Sequence, residues 1–182
     1  MTSSTAKLPF SNTQKSDGGN AFDITAWQRK IVRVACVAMS LAVLIALLRA
    51  FTGLAPAHPH ARSLAIIIHV ATVLPAIPLG GYLLLARKGG VWHKRLGKIW
   101  VALMVTTALS TLFIRFGEML SPIHVFVPMT LVASYKLIMT ARRGDMKGHK
   151  KEIMSLYLGA LMIPGLVAIA MPGRMMNAWL FG

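Results

Sequence analysis

Acidic side chains are nearly missing: five Asp and Glu stand against 20 Lys and Arg in 182 residues, for a formal charge of +15. None of the five falls inside an apolar run. Asp17 and Asp23 lie in a polar amino-terminal stretch, while Glu118, Asp145 and Glu152 lie in connecting segments. A proton or cation pump normally holds its ion on an intramembrane carboxylate, so ion-coupled transport is disfavoured. Hydrolysis by paired carboxylates is disfavoured on the same ground. The single cysteine, Cys36, excludes an intramolecular disulfide and a thiolate metal site. There is no phosphate-cradling glycine loop, no G-x-S-x-G and no H-E-x-x-H, which removes further reaction classes. The 12 methionines contain no M-x-x-M run and read as apolar packing rather than copper ligands.

Apolar residues are abundant. They make up 55% of the chain, and mean hydropathy is +0.62, too apolar for a soluble globule. The apolar residues fall into runs near the ~20 residues that a membrane span requires, separated by short basic or proline-rich breaks. The pattern predicts an all-α integral membrane bundle of five transmembrane helices at about 31–54, 61–86, 98–114, 122–141 and 153–171. A polar cytoplasmic tail over residues 1–28 precedes the transmembrane domain 29–182. The tail has too little apolar content to fold alone, so order there would come from a docked membrane subunit. About 30 residues before the first apolar run exceed the n-region of a cleavable signal, although Ala55-Pro56-Ala57 imitates a cleavage site. Pro75, Pro78 and Gly80-Gly81 interrupt the second run, which predicts a kinked helix packed against neighbours. Trp179 and Phe181 predict an interfacial end.

Charge sets the orientation. Sixteen of the 20 Lys and Arg fall on the side shared by the amino-terminal tail and the segments around 87–98 and 142–152, and four (Arg49, Arg62, Arg115, Arg174) on the other. The positive-inside rule then predicts an amino terminus in the cytoplasm and a carboxyl terminus outside, in a bacterial inner membrane. The basic residues cluster at helix ends, as contacts to anionic headgroups do, and form no stripe interleaved with aromatics. Membrane lipids are therefore the expected partners, and nucleic acid is not.

Six histidines remain as chemistry. His58 and His60, in Pro56-Ala57-His58-Pro59-His60, read as a stiff polar turn. His69, His93, His124 and His149 each belong to a different helix of this topology, with His93 and His149 just before helices three and five. They split into an outer pair, His69 with His124, and an inner pair, His93 with His149. Bis-histidine ligation of two b-type haems needs such a pairing of facing helices, so haem b is the candidate cofactor and electron transfer the candidate function. Arg87, Lys94 and Arg95 are candidates to contact haem propionates or lipid phosphates. If no haem is held, His93 and His149 should still meet in a polar cluster with Arg95 or Asp145. Two other readings compete: a non-catalytic accessory subunit of a larger membrane complex, and a small transporter or lipid-interacting protein with a cavity beside His69, Thr72, Ser134 and Tyr135.

Two resemblances bear on this. The alternating histidine pairing is similar to that of transmembrane di-haem b-type cytochromes of the ascorbate-dependent reductase kind. More specifically, Leu79-Gly80-Gly81-Tyr82-Leu83-Leu84, the run Arg87-Lys88-Gly89-Gly90-Val91-Trp92-His93-Lys94-Arg95-Leu96-Gly97-Lys98-Ile99-Trp100 and the run Arg142-Arg143-Gly144-Asp145-Met146-Lys147-Gly148-His149-Lys150-Lys151-Glu152-Ile153-Met154 resemble the multi-pass membrane proteins of domain-of-unknown-function family 2306. That resemblance covers Ile67 to about Tyr157. It implies a helical bundle with His69, His93 and His149 at motif positions, supplies no counterpart for His124, and carries no activity.

Overall fold

The computed structural model describes residues 25–57, 61–86, 88–114 and 122–182, and these are helical with no strand among them. The amino-terminal tail up to residue 24, the His58-Pro59-His60 turn and Arg87 lie outside the described residues. Six helices follow in order: α1 (Ala26–Phe51), α2 (Leu64–Leu85), α3 (Val91–Thr111), α4 (Phe126–Arg143), α5 (Met146–Ala170) and the short α6 (Met175–Phe181). A 3-10 turn, Pro122–Val125, leads into α4, so His124 precedes that helix rather than opening it.

Three of these helices, α1, α2 and α5, are long and apolar enough to cross a membrane, rather than the five expected. The other two fall short for a local reason. Lys94, Arg95 and Lys98 sit in the first turns of α3, and Lys136, Arg142 and Arg143 in the second half of α4, so neither has an uninterrupted apolar length of that size. Both still enter the same bundle: Trp100 and Met104 of α3 and Val127 and Leu137 of α4 are buried in it.

The starts of α1, α3 and α5 lie earlier than the apolar runs suggest, because caps rather than hydrophobicity set them, whereas α2 and α4 begin three and four residues later than expected. At Thr25 the hydroxyl accepts from the Gln28 backbone N–H at 3.3 Å, and the Gln28 side chain accepts from the Thr25 N–H at 3.0 Å. This capping box starts α1 inside the stretch assigned to the tail. Gly90 caps α3, so His93, Lys94 and Arg95 are in its first turns rather than before it. Asp145 accepts from the Gly148 N–H at 2.9 Å and starts α5 seven residues early, which places His149 within that helix. Gly144, at φ 71°, ends α4 in the left-handed conformation that allows the tight reversal between the two.

The core is built where α2 meets its neighbours. α2 pairs most extensively with α3 and also packs on α1, while α5 lies against α4. In apolar surroundings close packing and hydrogen bonds, not water exclusion, hold helices together. Gly80 and Gly81 let two aromatic side chains reach the α2 backbone: Trp100 Nε1 donates to Ala76 O at 2.9 Å, and the Tyr157 hydroxyl donates to Ile77 O at 3.2 Å. Both rings are fully buried. Cys36 Sγ lies 3.9 Å from the same Ile77 oxygen, so the lone thiol is a packing element against Gly81. Around Tyr157 α5 winds as a π-helix over Ser155–Met162, just before Pro164 withdraws a backbone donor. The outward faces stay apolar: Val34, Val37, Leu41 and Leu48 of α1 are each more than half exposed, as lipid-facing positions should be.

Candidate functional site

A cavity of about 200 Å³ lies between α1, α2, α3, α4 and α5 and is roofed by α6. Its walls come from one end of each helix: Val43 and Leu47, Ile66 and His69, Thr107 and Thr111, Phe126 and Thr130, Pro164 and Ala168. Arg174, Met175, Met176 and Trp179 complete it, so the segment expected to be only an interfacial anchor also encloses the cavity. α6 is held there by Asn177 Nδ2 donating to Ile169 O at 2.7 Å and by its packing on α1. Small residues make the space on the α5 side: Ala160, Gly165 and Ala168 line it, and a side chain on Gly165 would meet the Met39 methyl at 3.0 Å.

His69 is the principal polar group of this cavity, and its hydrogen bonds assign its tautomer. Ser110 Oγ donates to Thr107 O at 2.7 Å and Thr111 Oγ1 donates to the same oxygen at 2.9 Å. With those protons committed, both hydroxyls present lone pairs to His69 Nδ1, each 3.2 Å away, and Thr107 O itself is 3.2 Å from that nitrogen. Three acceptors around Nδ1 make it the protonated nitrogen. Nε2 is then a lone-pair acceptor, left for the cavity that the ring lines. A second link reinforces the α2–α3 contact: Thr107 Oγ1 donates to Thr72 Oγ1 at 2.8 Å, and Thr72 donates to Ile68 O at 2.9 Å. Of the residues expected beside such a cavity, His69 lines it and Thr72 supports it. Ser134 is buried elsewhere and Tyr135 is exposed, and neither is part of its wall.

The outer histidine pair is not assembled around this space. His124 is buried, but it is not among the residues lining the cavity that His69 faces. The inner pair does come together. His93 and His149 line one small cavity at the opposite end of the bundle, together with Leu83, Leu84, Lys88, Lys150 and Ile153. His149 Nδ1 donates to Leu137 O at 3.2 Å, so Nε2 is the ring nitrogen not engaged by that bond. His93 Nδ1 is buried and has no hydrogen-bond partner among the described residues. Burial holds the His93 imidazole below its ordinary pKa, and positive charge on His149 and Lys88 adds to the effect.

The neighbours of this pair are Lys88 and Lys150, not the expected Arg95 or Asp145. The Arg95 guanidinium lies 5.8 Å from the Trp92 ring centre, in cation–π contact at the exposed surface, and Asp145 is committed to the cap of α5. Lys94 is exposed beside them. The space between the inner histidines, about 10 Å³, takes one water-sized group. A porphyrin ligated by both rings does not fit there. Among the described residues no group of three or more His, Cys, Asp or Glu could hold a metal ion.

Sequence reasoning missed Thr107, Ser110 and Thr111. Their i, i+3, i+4 spacing puts three hydroxyl side chains on one helix face, a signal for a polar strip facing a neighbour.

No curated protein and no solved structure matches the chain. Residues 66–178, a longer stretch than the loop motifs alone cover, match the family model described as predicted membrane protein (DUF2306). They take in both cavities' histidines, the glycine pair of α2 and most of α6. The chain is a helical membrane protein and belongs to the DUF2306 family.

Proposed function

We propose that this protein binds a lipophilic molecule bearing a hydrogen-bond donor, such as a hydroxyl, in the cavity roofed by α6. The observation that carries the reading is His69: its Nδ1 is committed to α3, and its ring lines an otherwise mainly apolar space. In a low-dielectric interior a hydrogen bond to an imidazole lone pair is worth more than in water, so a ligand hydroxyl that donates to Nε2 is favoured over a bare alkyl chain. A volume of about 200 Å³ suits one medium-length chain or a small ring system, given that ~150 Å³ is enough for benzene.

Haem b in the same cavity is a second reading, favoured by one feature. An imidazole whose Nδ1–H is held by a backbone carbonyl is oriented as axial haem ligands are, with Nε2 toward the iron. It ranks second because the cavity is smaller than the ~300 Å³ at which drug-sized sites begin.

Protein purified from its own membrane in a mild, uncharged detergent separates these readings. Native mass spectrometry should find a hydroxylated lipophile retained, with no visible absorption. A reducible Soret band would replace the first reading by the second. No retained molecule, together with no quenching of tryptophan fluorescence by brominated decanol, would remove both.

We further propose five crossings with the amino terminus in the cytoplasm of a bacterial inner membrane, a reading that one feature of the bundle favours. The carboxyl ends of α1, α3 and α5 and the amino ends of α2 and α4 share the large cavity, while the opposite ends of α2, α3 and α5 share the small one. That alternation is what successive crossings require. Reporter fusions after Gly53 and Ser121 should read external and those after Gly90 and Gly144 cytoplasmic, because the bias of basic residues is strong. A cytoplasmic reading after Ser121 would leave α3 and α4 without crossings.

A further inference from the structure

The small cavity at the basic end of the bundle is separate from the proposed lipophile site, and its chemistry is of the opposite kind. Three chain segments bring nitrogen to it: Lys88 after α2, His93 in the first turn of α3, and His149 with Lys150 near the start of α5. Leu83, Leu84 and Ile153 close the apolar side, and no carboxylate lines it. Convergence of this kind has a cost. Burial disfavours a charged imidazole at His93, and positive charge on His149 and Lys88 disfavours it further. The positive-inside rule explains why lysines are on this face, but not why these four side chains turn to one point.

Two details point to what the point receives. His93 Nδ1 is buried there without a partner among the described residues, and His149 has its Nδ1 spent on Leu137 O. His93 Nδ1 is therefore open to a group placed beside it, and His149 has Nε2 uncommitted by the Leu137 bond. The space, about 10 Å³, admits a single oxygen-sized atom. A phosphate oxygen meets these conditions: it accepts hydrogen bonds from imidazolium and ammonium groups, and its negative charge offsets theirs. We propose that Lys88, His93, His149 and Lys150 form a phosphate site at the cytoplasmic end of α2, α3 and α5, taking the phosphate of an anionic lipid headgroup or free phosphate. One oxygen enters between the imidazoles, and the rest of the group stays at the surface near the two lysines. Binding ties the start of α3 to the start of α5.

The test uses the full chain in an uncharged detergent with three probes: dioleoyl phosphatidylglycerol, dioleoyl phosphatidylcholine and inorganic phosphate. Its readouts are the thermal midpoint and the His93 titration followed by NMR. Phosphatidylglycerol should raise both the midpoint and the His93 pKa, since a bound anion favours the charged imidazole, and zwitterionic phosphatidylcholine should do neither. Lys88→Gln with Lys150→Gln should cut the midpoint shift about threefold or more, while Lys94→Gln with Lys98→Gln, exposed positions outside the cavity, should leave it. If inorganic phosphate alone moves the His93 titration, the ligand is soluble phosphate; if only phosphatidylglycerol does, it is the lipid. The proposal is overturned if neither probe moves the wild-type His93 titration, if phosphatidylcholine moves it equally, or if the Lys94/Lys98 pair loses as much as the Lys88/Lys150 pair.

Discussion

His69→Asn is expected to bind brominated decanol about five- to tenfold more weakly than wild type while the protein stays folded, because one neutral hydrogen bond in a buried site is worth roughly 1–1.5 kcal/mol. Asparagine is chosen because its amide can take the place of Nδ1–H. The α2–α3 tie to Thr107 O is kept, and the acceptor facing the cavity is removed. Quenching of tryptophan fluorescence reports occupancy, since Trp179 lines the cavity, and Trp179→Phe identifies its share of the signal. The chemistry of the ligand head is tested alongside. The methyl ether of the same alkanol cannot donate, so wild type should bind it about as weakly as His69→Asn binds the alcohol. Equal affinity for alcohol and ether in wild type would mean that Nε2 does not select the ligand.

How far the sequence alone could reach is clearest at residues whose surroundings are local. α1, α2 and the apolar part of α5 are readable because a span needs a continuous apolar length, and composition records that directly. The starts of α3 and α5 are hidden by the same criterion: their first turns are basic, so a search for apolar length begins too late. Gly90 and Asp145 were nonetheless visible as caps, and reading them first would have placed His93 and His149 inside helices. His69 could be singled out as a histidine in an apolar run, but its tautomer depends on two hydroxyls about forty positions away that both donate to one carbonyl. The convergence of His93 and His149 was expected from the pairing of helices three and five in the predicted bundle. The identity of their neighbours was not, since Lys88 and Arg95 are equally plausible from spacing and only the rotation of α3 separates them. The large cavity leaves a fainter trace, in Ala160, Gly165 and Ala168 along one side of α5, because empty space is defined by what neighbouring elements fail to fill.

Gly80→Ala is expected to destabilise the bundle by about 3 kcal/mol, at the upper end of ordinary overpacking, although alanine is the better helix former. An added methyl would lie 2.6 Å from Tyr157 Cδ2 and 2.7 Å from Trp100 Nε1. Neither ring can yield cheaply: both are fully buried, and each is anchored to the α2 backbone, Trp100 at Ala76 O and Tyr157 at Ile77 O. Relief therefore requires α2 to move away from α3 and α5, stretching two hydrogen bonds in a setting that offers no water to replace them. Gly97→Ala is the matched control. It lies in α3 with nothing within 4 Å of the position a methyl would take, so the helix-propensity gain of roughly 0.5–1 kcal/mol should appear undiminished. The same substitution should thus shift the chemical unfolding midpoint in opposite directions at the two sites. Trp100→Phe combined with Gly80→Ala discriminates further: losing Nε1 makes room for the methyl, so the double variant should be less destabilised than the sum of the singles. A simple sum would place the strain on Tyr157 alone.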